Sequence, residues 1–134
     1  MKKDIEMPEV KNVTLAIVRE KNILNQNEWK VFIINNNPHP IENTLVASQG
    51  YGEKEGERQR TSTLRHFLET VPAQGFAMVE SIDPSLFHLN NEYWVSYYVD
   101  TQIYDRRFVF VPDSICEGNL TFIKELDMEG VLHS

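Results

Sequence analysis

Few side chains in this sequence have the chemistry for catalysis or metal binding. The histidines are His39, His66, His88 and His133, and no two stand at the i, i+2 or i, i+4 spacing that places a metal-binding pair on one strand or helix. Neither a metal nor a cofactor is expected. The nominal nucleophiles are Ser62 and the single cysteine, Cys116, but no G-x-S-x-G elbow is present, so no catalytic residue is assigned. Glu80 and Glu92 would serve as paired carboxylates only if both faced one cleft; a solvated strand face is the ordinary reading of each. Gly50-Tyr51-Gly52-Glu53-Lys54-Glu55-Gly56 has the glycine content of a phosphate loop but not its spacing. Its glutamates would also repel phosphate, so it reads as a turn or hairpin between strands.

Two groups are better suited to recognition. Arg58, Arg60 and Arg65, with Arg106 and Arg107 further along, could converge on a patch for an anion or a partner. The run Tyr93-Trp94-Val95-Ser96-Tyr97-Tyr98 puts Tyr93 and Tyr97 on one face of a strand and Trp94 and Tyr98 on the other. One sandwich core cannot bury both sets. Trp94 and Tyr98 are therefore the candidate partner contacts, with cover by the C-terminal segment as the competing explanation.

The elements that must position these residues show a period of two. Val13, Leu15 and Ile17 alternate with Thr14, Ala16 and Val18. Trp29, Val31 and Ile33 form one face opposite Phe32 and Ile34, which makes Trp29 a natural core plug. Similar alternation runs through Thr44–Ser48, Phe76–Ile82 (Phe76, Met78, Glu80 and Ile82 on one face), Tyr93–Val99 and Phe108–Val111, with a last short strand near Leu120–Ile123. Thr61–Thr70 fits a helix or a strand, and its β-branched start favours the strand. Asp83-Pro84 reads as the capped start of a short helical turn through Phe87. The asparagines, three of them consecutive at Asn35–Asn37, suit left-handed turn positions at strand ends. Short strands separated by turn residues predict an all-β chain, an antiparallel immunoglobulin-like β-sandwich of about seven strands.

The chain has 134 residues, the size of one domain, with residues 1–10 expected to be a flexible N-terminal segment. Thirteen basic against twenty acidic residues give a net charge of −7, which disfavours nucleic-acid binding. A lone cysteine excludes an intramolecular disulfide, and no apolar run follows the opening lysines or reaches membrane-spanning length. A cytoplasmic protein without membrane association is the expectation.

Some phrases are similar to those of known sandwiches. Phe87-x-Leu89-x-x-x-Tyr93-x-Val95 resembles the region before the penultimate strand of immunoglobulin-like and fibronectin-like domains, and Val71-Pro72-Ala73-Gln74-Gly75 resembles a corner of bacterial immunoglobulin-like modules. Through Val31–Asn36, Ser62–Phe67 and Leu89–Tyr98 the chain resembles a small bacterial single-domain family that carries the label phenylalanyl-tRNA synthetase alpha subunit. A class II synthetase core is far larger, and neither an arginine-bearing class II motif nor its glycine-rich strand is found here.

The expected function is that of a protein-interaction or structural module, with a protein partner or self-association. The alternative is a small-ligand or enzymatic role in a cleft near the Gly50–Arg60 loop, which would require Arg58 and Arg106 to converge. A synthetase-related role rests on the label alone.

Overall fold

The computed structural model describes residues 8–133. Ten strands fold into two antiparallel five-stranded sheets that do not close into a barrel, and no α-helix forms among the described residues. The strands are β1 (Val13–Lys21), β2 (Asn27–Asn35), β3 (Ile41–Lys54), β4 (Glu57–Arg60), β5 (Leu64–Val71), β6 (Gly75–Ser81), β7 (Asn90–Val99), β8 (Gln102–Phe110), β9 (Thr121–Ile123) and β10 (Met128–His133). The first sheet has the order β6-β2-β1-β10-β9. The second has β4-β3-β7-β8, with β5 also paired to β3.

The sheets share one core. Leu15, Ile17, Trp29, Val31 and Ile33 of the first meet Val46, Tyr93, Val95, Tyr97, Phe108 and Phe110 of the second. Trp29 is 9% exposed and lies edge-on to Phe87, 5.1 Å between ring centroids, so it fills the core as its alternation predicts. Val10 also packs in this core, while residues 1–7 of the expected flexible segment lie outside the described residues.

The first sheet is apolar on its outer face as well. Ala16, Val18, Phe32 and Ile34 are buried there against Ile123 of β9 and Leu126 of the segment joining β9 to β10. Asn36 Nδ2 donates to Glu125 at 2.8 Å and ties that segment to the end of β2. Burial on both faces is why β1 and β2 read as nearly unbroken apolar runs.

About seven strands are expected from the sequence, and ten form. β3 runs on through the supposed Gly50–Gly56 turn, and only Glu55 and Gly56, both at positive φ, reverse the chain into β4. The segment Thr61–Thr70 is a strand, as favoured, but only from Leu64 onward. β10 carries a glycine in its interior, where an added Cβ would lie 2.9 Å from Ile17 O, Ile123 Cδ1 and Val18 Cγ1. A bulge between Val31 and Phe32 shifts the pairing with β6, so the expected single face of Phe76, Met78, Glu80 and Ile82 breaks: Phe76 and Met78 are exposed, while Glu80 and Ile82 turn inward. Pro84–Leu86 is a short 3-10 turn, with the Asp83 carboxylate accepting from Ser85 N at 2.8 Å. Asn12, Asn25 and Asn43 occupy left-handed positions.

Candidate functional site

The outer face of the second sheet brings most of the recognition residues together. Pairing aligns Arg65 of β5, Ala47 of β3, Trp94 of β7 and Arg107 of β8 in one row across four strands. At about 4.8 Å per strand, the arginines stand roughly 14 Å apart with the indole between them. Ala47 leaves a shallow floor between Arg65 and Trp94. The adjoining row on this face is Phe67, Leu45, Ser96 and Asp105, and Tyr98 lies opposite Ile103. Trp94 is 45% exposed, Tyr98 37% and Phe67 59%. The C-terminal segment does not cover them, because β10 pairs with β1 on the other sheet.

The polar groups on this face are partly committed. Glu92 accepts from Gln49 Nε2 at 2.9 Å and from Arg107 at 3.0 Å. Arg58 and Arg60 extend the face along β4, opposite Glu53 and Tyr51. Among the described residues, Arg58, Arg60 and Arg65 form no ion pair.

Arg106 does not join this patch. Neighbours on a strand point to opposite faces, so Arg106 turns inward with its guanidinium 4.4 Å from the Phe108 ring centroid, while Arg107 turns outward. Arg58 and Arg106 therefore do not converge on one cleft. Instead, the Gly50–Arg60 loop is a hairpin beside a shallow groove lined by Tyr51, Gly52, Glu53, Arg58, Gln59 and Arg60. Glu80 and Glu92 are also separated, Glu80 between the sheets and Glu92 on the outer face.

A second constellation was missed by spacing. Glu80 of β6, whose side chain is 12% exposed, accepts from Ser48 Oγ at 2.8 Å, from the His66 imidazole at 2.7 Å and from Tyr93 OH at 3.2 Å. The three donors come from β3, β5 and β7 of the opposite sheet. Burial, and then the Glu80 charge, push the Tyr93 phenol far above its ordinary value. A cavity of about 160 Å³ opens beside this cluster, lined among others by Gly50, Thr61, Ser62, Glu80, Leu86, Asn91 and Tyr93. Ser48 and His66 both bond the same carboxylate oxygen, so no hydroxyl–imidazole–carboxylate relay is formed. Cys116 is exposed, and Ser62, exposed at the cavity mouth, has no general base bonded to it among the described residues. Among the described residues no group of histidine, cysteine or carboxylate side chains has metal-binding geometry, and no helix is long and apolar enough to cross a membrane.

No protein-family model, curated protein or solved structure matches the chain, and its function must be read from its own geometry.

Proposed function

We propose that the chain is a non-enzymatic protein-interaction module built on an immunoglobulin-like sandwich, and that the outer face of its second sheet is the contact surface. The strand order supports the architecture. β1-β2-β6 follow one another as strands A, B and E do in such domains, and β3-β7-β8 follow as C, F and G, with β5 and β4 in the place of an added strand beside C. The 3-10 turn at Pro84 then falls at the E–F corner, and β9 and β10 are additions beyond strand A.

One observation carries the functional reading: Trp94, Tyr98 and Phe67 are exposed together on a sheet face that nothing in the described chain covers. Tryptophan, tyrosine and arginine are the residue types enriched at binding hot spots, and Leu45, itself 37% exposed, lies between Phe67 and β7 on the same face. The charge of the rim indicates the partner. Arg58, Arg60 and Arg65, which form no ion pair among the described residues, line the β4–β5 side, so the surface suits a protein segment with an apolar centre and acidic flanks. The cytoplasm is the compartment proposed for this contact, as suits a chain whose one thiol is exposed and unpaired.

Selection from a random peptide library on immobilised protein tests this. Aromatic peptides with acidic flanks should be enriched, and their binding should be lost when Trp94 and Tyr98 are both replaced by serine. Equal binding to the double variant, with its circular dichroism unchanged, would remove the contact surface from this face. Light scattering on the same pair of proteins separates self-association, which would make the partner a second copy.

A further inference from the structure

We propose that the inter-sheet cavity beside Glu80 is a binding site for a small primary ammonium ion carrying a short apolar tail. The inner faces of both sheets are filled mainly by Val31, Val46, Val95 and other apolar side chains. Structure alone would favour another apolar residue at position 80, because burying a carboxylate costs several kcal/mol and a well-packed hydrophobe there is often neutral or better for stability. Glu80 is nevertheless present, at the end of a bulged pairing, and among the described residues it forms no ion pair with a lysine or arginine.

The hydrogen-bond inventory of the lining defines the ligand. A hydroxyl has one hydrogen to give. Those of Ser48 and Tyr93 are donated to Glu80, and that of Thr61 to Ser62 O at 3.0 Å. Asn91 spends its Nδ2 hydrogens on Leu86 O and Leu89 O, at 3.0 and 3.2 Å. Its Oδ1, on the side facing Gly50, accepts from no donor among the described residues. Of the roughly four acceptor positions of a carboxylate, Glu80 has filled three, leaving one on Oε2. Among the described residues Ser62 at the rim and the second hydrogen of Gln49 Nε2 remain as donors, but around Glu80 the hydroxyl hydrogens are used and the wall presents acceptors and negative charge, which favours a positively charged donor there. Leu64, Ile82 and Leu86 supply an apolar wall for a tail. The volume, about 160 Å³, is close to the ~150 Å³ of a cavity that accommodates benzene, so the ligand has about six heavy atoms.

Butylammonium is a suitable probe, with butanol and butyrate as its neutral and anionic counterparts. In a titration followed by amide chemical shifts, butylammonium should move Gly50, Ser62 and Asn91, and butanol should bind roughly 10–100-fold more weakly, the range for losing a charge-assisted hydrogen bond. Glu80→Gln should weaken butylammonium by a similar factor. Ser62→Trp, at the exposed mouth and away from the carboxylate, should block entry with the fold intact; it decides the matter if Glu80→Gln fails to fold. Equal binding of butanol, no shift at these amides, or undiminished binding to Ser62→Trp would each overturn the proposal.

Discussion

Replacing Trp29 by alanine tests the sandwich most directly, and the second tryptophan provides an internal control. Trp29 stands on the inner face of β2, nine-tenths buried, with its ring against Phe87 and the Arg19 guanidinium 6.0 Å above it. A large aromatic buries ~150–250 Å², worth ~4–6 kcal/mol at ~25 cal/mol per Å². Alanine keeps part of that burial and a compact unfolded chain lowers it further. The edge-to-face contact adds ~0.5–1.5 kcal/mol, and the vacated volume adds more, so the net loss should be ~3–5 kcal/mol. With unfolding entropy of ~2.1 cal/mol/K per residue over 134 residues, Tm should fall by roughly 11–18 °C. Trp94→Ala, on the open face, should cost no more than about 1 kcal/mol. Urea and thermal unfolding followed by far-ultraviolet circular dichroism give both values. If Trp29→Ala costs under about 1 kcal/mol, or if the two variants lose equal stability, the assignment of inner and outer faces is wrong.

Further outcomes are expected elsewhere in the molecule. Gly130→Ala should cost about 1–3 kcal/mol in urea unfolding, because its Cβ would press on Ile17 O and two side chains; an unchanged midpoint would mean that β10 does not lie against β1. Asn35→Ala should cost roughly 2–3 kcal/mol by the same assay, because Asn35 Nδ2 donates among His39 O, Val71 O and Pro72 O while its Oδ1 accepts from Asn37 N. Burial, and then the neighbouring Tyr104, hold the Tyr97 phenol up at about 12, above its usual ~10, and Tyr93 is shifted in the same direction. The folded state therefore keeps protons that the unfolded state releases; stability from these phenols is intact below pH ~10 and falls as pH rises towards 12. Denaturant melts between pH 9 and ~11.5 should show that decline, and it should be smaller in Tyr93→Phe.

The fold was legible where one residue type repeats in phase. Val13–Ile17, Trp29–Ile33 and Tyr93–Tyr97 place their side chains on the core as their alternation requires. Asp83-Pro84 declared its turn through local chemistry alone. The strands β4 and β10 escaped because Glu-Arg-Gln-Arg has no apolar residue and Met-Glu-Gly-Val-Leu-His, interrupted by Gly130, shows no clear alternation; β3 and β1 supply their pairing. The bulge beside Val31 is equally silent in sequence, and it alone turns Phe76 outward and Glu80 inward. Ser48, His66, Glu80 and Tyr93 come from four strands with no common spacing. The available signal was phase: Ser48 is in phase with Thr44 and Val46, and Tyr93 with Val95 and Tyr97, so both stood on the core face of their strands. Phase also separates Arg106 from Arg107, since adjacent strand residues cannot share a face.

The two outer faces differ in a way that bears on function. On the first sheet, Ala16, Val18, Phe32 and Ile34 carry no polar atom among them, and the chain covers them with Ile123 and Leu126. That cover is partial: on the same face Phe76, Met78 and Leu132, paired with Ile34, Phe32 and Ala16, stay about half exposed. On the second sheet, Trp94, Tyr98 and Phe67 alternate with Arg65, Gln49, Glu92, Ser96, Asp105 and Arg107, and the described chain leaves them open. Aromatic rings set among paired and unpaired charges stay soluble while exposed, yet yield contact energy when a partner removes water from the rings. The C-terminal strands thus cover only part of the first sheet's outer face, and both sheets keep exposed apolar side chains. What separates the two open areas is their surroundings: the rings of the second sheet stand among charged side chains, and the proposed contact surface rests on that difference.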